Sequence, residues 1–199
     1  MKILLGVTGG VAAKLTPKLV KMLLDKGHEV QVVTTEKALY FFKLNPREAG
    51  NSVFPDETIQ NVAVWTDKDE WIGDIYQRDQ LIPHIALTQW ADVFAIVPLT
   101  ANTIGKMAHG ICDNLLTSEV MAWSVKKPLV LAPAMNTQMW LNPIMQKNLR
   151  DISIDRNTIV VNPVEKKLAC GDTGMGALAD LEVIVSTIET FGKSGEWTE

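Results

Sequence analysis

Few residues of this chain are equipped for chemistry: three histidines, two cysteines, and some amides and hydroxyls set among glycines and prolines. One stretch stands out, Pro133-Ala134-Met135-Asn136-Thr137-Gln138-Met139-Trp140. It follows the apolar run Pro128 to Ala132, a buried-strand pattern, and precedes Leu141-Asn142-Pro143, a helix start. Loops normally shed apolar bulk. Two Met and a Trp around a single Asn predict a lined pocket, where the Asn amide is matched by a bound carboxylate or amide. The competing reading makes Met135, Met139 and Trp140 a plug at the end of the core.

Cys170 lies in Leu168-Ala169-Cys170-Gly171-Asp172-Thr173-Gly174-Met175-Gly176, whose glycines allow a loop to close over a ligand. Cys112, between Ile111 and Asp113, reads as packing. His84 follows Pro83 at a helix start; such a histidine is commonly a surface residue, but the positive helix end favours the neutral imidazole that a base requires. His28 reads as solvated and His109 as structural. Gly9-Gly10, between a strand and a helix, suits either a tight turn or an anion held on the N–H groups of the helix's first turn. The surrounding Gly6-Val7-Thr8-Gly9-Gly10 is not Gly-x-Gly-x-x-Gly, and the second strand ends in Thr34-Thr35 rather than an acid. That disfavours a dinucleotide and suits a mononucleotide phosphate with a Thr hydroxyl as an extra donor. In Pro98-Leu99-Thr100-Ala101-Asn102-Thr103 an N-cap is expected at Asn102 or Thr103, and the surplus polar groups suit a ribityl chain or heterocycle edge.

Apolar runs predict strands at Ile3 to Val7, Val30 to Val33, Val93 to Val97, Leu129 to Ala132 and Thr158 to Val161. Helical spacing predicts helices over Val11 to Lys26, Glu36 to Lys43, His84 to Trp90, Ile104 to His109, Asn114 to Trp123, Ile144 to Leu149 and Leu181 to Phe191. Asn45 to about Pro83, with Pro46, Gly50, Pro55 and Gly73, reads as loop. The alternation implies an α/β fold, an open parallel sheet with helices on both faces, formed by one domain at 1–191 with a tail at 192–199. Every candidate loop but the His84 turn follows a strand's carboxyl end, the edge where such sheets bind ligands.

Nineteen basic against 23 acidic residues leave a formal charge of −4 without a basic cluster, which disfavours nucleic acid. Apolar runs are too short to span a membrane and no leader pattern is present, so a cytoplasmic protein is expected. Two cysteines without Cys-x-x-Cys argue against a disulfide scaffold or a zinc site, and no metal is expected.

Taken together, Asn136 to Trp140 in its loop, His84-Ile85-Ala86-Leu87, Trp90-Ala91-Asp92, Thr100-Ala101-Asn102-Thr103 and Leu168 to Gly176 resemble the homo-oligomeric flavin-containing cysteine decarboxylases. Val32-Val33-Thr34-Thr35-Glu36, Asp69-Glu70-Trp71 and Gly110 to Leu116 add to the likeness, which runs from Ile3 to Phe191 and is greatest to the stand-alone eukaryotic-type members acting on phosphopantothenoylcysteine. The resemblance implies a flavodoxin-like or Rossmann-like fold, FMN as cofactor, and a homotrimer with flavin sites between subunits. It implies decarboxylation of 4'-phosphopantothenoylcysteine to 4'-phosphopantetheine in coenzyme A biosynthesis. By position it makes His84 the base and Cys170 the proton donor, and gives the substrate carboxylate to Asn136, with Ala134, Met135 and Met139 in the same motif. Gly9, Gly10, Val11 and Thr34 or Thr35 would hold the phosphate; Thr100, Ala101, Asn102 and Thr103 would line the flavin. The aromatic content of 45–83, with Trp65, Trp71 and Tyr76, is compatible with an interface.

The chain departs from the resemblance at Gly10, often Ser in the family, and at Leu99-Thr100, where a small pair is usual. Two other functions on this fold, a peptidyl-cysteine decarboxylase and a phosphatase-inhibiting regulator, are disfavoured by the Cys170 loop and by the lack of a long acidic tail.

Overall fold

The computed structural model describes all residues except 48, 49, 72, 74, 76, 155, 168–172 and 194–199. The strands are β1 Lys2–Val7, β2 Glu29–Thr34, β3 Asn45–Arg47, β4 Gly50–Val53, β5 Ala63–Trp65, β6 Val93–Leu99, β7 Leu129–Pro133, β8 Thr158–Val160, β9 Val164–Lys167 and β10 Thr173–Ala177. The α-helices are α1 Thr16–Asp25, α2 Asp67–Glu70, α3 Pro83–Trp90, α4 Ala101–Ala108, α5 Leu115–Ala122, α6 Thr137–Leu141, α7 Pro143–Ser153 and α8 Leu181–Lys193.

All five predicted strands are present and pair in parallel in the order β2-β1-β6-β7-β8. β5 adds a sixth parallel strand beside β2, with Val32 opposite Val64. The wholly parallel sheet expected from the alternation needs one correction: β3 and β4 run antiparallel at the β5 edge. The loop reading of 45–83 is also corrected, since it holds β3 to β5 and α2. These strands have three or four residues, too few for a period of two to show, and Pro46 is tolerated because β3 lies at the sheet edge. Phe54, Ile59 and Val62, each at most 3% exposed, anchor the segment.

Two helix predictions change as well. The helix expected over Val11 to Lys26 is a 3₁₀ segment at Val11–Leu15 followed by α1. Pro17 lacks the N–H that would bond the Ala13 carbonyl and its ring clashes with it, so a continuous α-helix is blocked there and Pro17 falls in the first turn of α1. Glu36 to Lys43 gives only a 3₁₀ turn at Glu36–Tyr40, followed by aromatic residues that are weak helix formers. At the other end α8 continues through Gly192 to Lys193, so the tail loses its first two residues.

The sheet is covered on both faces. Ile3, Leu5, Val7, Val93 and Ala95 pack under α1 and α8; Leu4, Phe94, Ile96, Leu129 and Leu131 pack under α3, α4, α5 and α7. Gly6 faces the second layer, where a Cβ would come within 3.2 Å of Leu116, so its lack of a side chain lets α5 approach. Strand order reverses at β1, with β2 and β5 to one side and β6, β7 and β8 to the other. The carboxyl ends of β1 and β6 therefore diverge around a crevice, the ligand position of a doubly wound sheet.

Candidate active site

The crevice is held by Thr8, which is buried at the end of β1. Its hydroxyl donates to the Pro98 carbonyl at 2.8 Å and accepts from the Thr100 amide at 2.9 Å, tying the two strand exits together. That hydroxyl proton is spent on protein. Gly10 sits above this tie, where a Cβ would lie 3.2 Å from the Thr100 methyl, while Gly9 is pressed by the 36–40 turn so closely that a Cβ would meet Lys37 Cβ at 2.5 Å. Packing therefore explains Gly9, and the crevice explains Gly10. Val11 is exposed. Thr34 is fully buried and donates to the Thr35 carbonyl at 3.2 Å; of the pair, only Thr35 keeps surface at this edge.

The cap expected at Asn102 or Thr103 is instead Thr100, whose extended backbone precedes α4. The strand runs to Leu99 and the helix begins at once, which leaves Ala101 partly open, Asn102 exposed and Thr103 buried.

Next along the edge, Ala134 N donates to the Leu99 carbonyl at 3.0 Å, setting the Asn136 loop beside Thr100. Asn136 caps α6: its Oδ1 accepts from Gln138 N at 2.8 Å and its carbonyl from Trp140 N at 3.0 Å, which fixes the side chain on the rigid end of a helix. The plug reading holds for Met135 and Trp140, which pack on the core, whereas Met139 is 47% exposed. The β9–β10 hairpin lies across the loop. Met135 N donates to the Gly176 carbonyl at 2.9 Å, and Cβ atoms at Gly176 and Gly174 would come within 2.3 Å of the Met135 carbonyl and 2.5 Å of Thr137 Oγ1. Cys170 and its neighbours Leu168 to Asp172 lie outside the described residues, as do Tyr76 and 194–199; Thr173 and Lys167 end the strands that flank the cysteine.

His84 is placed by a different device. A helix feeding a parallel strand runs back from the carboxyl edge, so the first turn of α3 stands at the same edge as the loops. Pro83 occupies that first turn, and His84 Nδ1 pairs with Glu70 Oε1 at the end of α2. A carboxylate accepts, so Nδ1 carries the hydrogen, and in the neutral ring the lone pair is on Nε2. Glu70 is held in turn. Thr66 and Asp69 close the start of α2 with bonds of 2.6 and 2.8 Å, and Asp67 Oδ1 accepts from Leu115 N at 3.0 Å, pinning α2 to α5. Sequence reasoning assigned no role to Glu70 or Asp67; Asp69-Glu70-Trp71 carried only resemblance. Among the described residues no group of His, Cys, Asp and Glu is arranged to hold a metal ion.

A model of the family described as Flavoprotein matches residues 1–192. The chain belongs to the Flavoprotein family. Among relatives of this Flavoprotein member, the phosphopantothenoylcysteine decarboxylase of Mus musculus is 42% identical over 190 residues, covering 94% of this chain and 85% of the mouse protein. Among solved structures, a PPC decarboxylase cysteine-to-serine mutant complexed with pantothenoylaminoethenethiol aligns with a TM-score of 0.84 at 38% identity, over 96% of this chain and 98% of that one. The FMN binding protein AtHal3 aligns at 0.80 and 39%, over 97% of each chain.

Proposed function

We propose that this Flavoprotein-family chain decarboxylates 4'-phosphopantothenoylcysteine to 4'-phosphopantetheine in coenzyme A biosynthesis, with FMN as cofactor. The reading is carried by 42% identity over 94% of the chain to a decarboxylase of that specificity. The crevice residues fit FMN. Gly10 leaves backbone exposed between the strand exits, Thr35 and Thr100 keep surface there, and Asn102 is open to solvent, although the Thr8 and Thr34 hydroxyls are already bonded to carbonyls. The phosphate would therefore rest on the backbone of Gly9, Gly10 and Val11 with Thr35, and Thr100 to Thr103 would line the ring system.

When bound, FMN would supply the reversible two-electron oxidation of the substrate thiol that gives the departing carboxyl group an electron sink. The protein's part is to orient and to move protons. His84 Nε2, backed by Glu70, takes the thiol proton. Asn136, with Ala134, Met135 and Met139 around it, presents its amide to the substrate carboxylate without adding charge, which leaves the carboxyl group free to depart. Cys170 supplies the proton that completes the product.

The same reading includes a homotrimer in the cytoplasm. Trp71 and Ile75, each 82% exposed, with Leu81, Ile82 and Ile85, form an apolar surface beside His84 that a neighbouring subunit would cover, closing the flavin site. No described helix is long and apolar enough to cross a membrane. The test is turnover: flavin-loaded protein given 4'-phosphopantothenoylcysteine should release carbon dioxide and 4'-phosphopantetheine. Inactivity on that substrate alongside turnover of a peptide ending in cysteine would overturn the assignment.

A further inference from the structure

Beneath His84 the protein buries a second carboxyl group for which this reaction has no use. Glu119, in the middle of α5, has no exposed surface, and neither of its side-chain oxygens has a hydrogen-bond partner. A charge left so would be costly. Burial first, then repulsion from Glu70 and Asp67, pushes its carboxyl group well above the usual carboxylate range, so it keeps its proton. Glu70 has the complementary defect: Oε1 takes His84 Nδ1, while Oε2 is buried without a partner. The helices bring the two together. Asp67 Oδ1 pins the start of α2 to the Leu115 amide at the start of α5, three residues before Glu70 and four before Glu119, and Glu70 and Asp67 are the charges that repel Glu119. One group is a donor without an acceptor and the other an acceptor without a donor.

The remaining charges near α5 are spoken for. Asp67 accepts from Leu115 N, Asp69 from Thr66, Lys106 pairs with Asp113, Arg156 donates to the Val120 carbonyl, and Lys127 donates to the Thr88 and Ala91 carbonyls. Among the described residues no lysine or arginine pairs with Glu70 or Glu119.

We propose that Glu119 is a positioning residue for His84: as a neutral carboxylic acid it donates to Glu70 Oε2 and moderates the pull of that carboxylate on the imidazole proton. The inference rests on His84 being the base. Sharing the Glu70 charge with a second donor weakens the pull of that carboxylate on the Nδ1 hydrogen.

The test is read at His84 itself. The chain has three histidines, so ring resonances of the flavin-loaded protein can be followed through a pH titration, with His84 assigned by its loss in His84→Asn. Glu119→Leu removes the donor and should move the His84 midpoint, and with it the acid limb of the kcat/KM profile, upward by about one pH unit. Glu119→Gln keeps a neutral donor of the same shape and should leave both where they are. The wild type should show a protonated-carboxyl infrared band at neutral pH that Glu119→Gln lacks. If the leucine variant does not fold, near-isosteric Glu70→Gln serves, because it must shift that band. A His84 midpoint unmoved by leucine, a glutamine shift as large as leucine's, a missing band or a band unmoved by Glu70→Gln each overturns the proposal. Retained turnover in His84→Asn would instead overturn the base assignment, while the titration still judges Glu119.

Discussion

The two faces of the sheet are built by different rules. On one, Leu19, Val20 and Leu23 of α1 meet Ile184, Val185 and Ile188 of α8 over the strands, all at most 1% exposed. Apart from the Thr16 hydroxyl, polar groups stay at the rim, where Glu189 receives Lys26 at 2.6 Å and meets His28 at 3.1 Å. The other face has an equally close apolar layer, with Leu87, Ile104, Leu116 and Trp123, yet it admits Glu119 at its centre and Glu70 at its edge. Unpartnered buried carboxyl oxygens, of Glu70 and Glu119, are thus found on the second face.

That division can be broken most sharply at the site. His84→Asn and Asn136→Asp should each lower turnover on the order of a thousandfold or more with FMN retained, the first by losing a base, the second by setting a carboxylate against the substrate's own. Turnover beside the flavin absorbance of the purified variants decides it, and near-normal activity in either would remove that residue from the mechanism.

On the opposite face, Leu23→Ala or Ile188→Ala should cost about 2–5 kcal/mol in chemical denaturation, the usual range for emptying a packed site. Turnover per folded, flavin-loaded molecule should not change. A lowered kcat in such a variant would mean that the two faces are not separate.

A pH series compares the faces through their carboxyl groups. Glu119 holds a proton in the folded chain that the unfolded chain releases in the ordinary carboxylate range. It therefore favours folding at low pH, and stability should fall as pH rises from about 4.3 toward the raised folded value, by about 1.4 kcal/mol per pH unit. Glu119→Gln should abolish this slope in denaturation measured at several pH values. Glu189 has the opposite sign. The hydrogen bond from Lys26 chiefly, and that from His28, lower it, so its contribution is present above the ordinary carboxylate range and lost as pH falls through the lowered value. Its pairs are partly exposed, so Glu189→Ala should cost less than about 1 kcal/mol, the smallest of these effects, and a larger loss would show the rim to be part of the core.

Why some of this was legible in sequence and some was not follows from the same contrast. Continuous apolar runs such as Phe94 to Val97 and Leu129 to Ala132 announce strands buried on both faces, so the parallel core could be read directly. β3 to β5 could not, because three residues carry no period. Asn136 was visible because an amide among apolar residues is conspicuous in any loop. Glu70 and Glu119 were not, since a glutamate in a helix ordinarily faces water, and only the docking of α2 on α5 puts these two inside. The cap at Thr100 was misplaced by two or three residues because Thr100, Asn102 and Thr103 are all cap-forming residue types.

The β9–β10 hairpin meets the Asn136 loop through one amide-to-carbonyl bond and two glycines with no room for a Cβ. At Gly176 the contact is backbone on backbone, and at Gly174 it is against the small Thr137 side chain. Thr173 and Met175, on either side of Gly174, are exposed. Such an arm is an interchangeable part, and its outer residues offer evolution a place to alter which molecules are admitted without rebuilding the scaffold beneath.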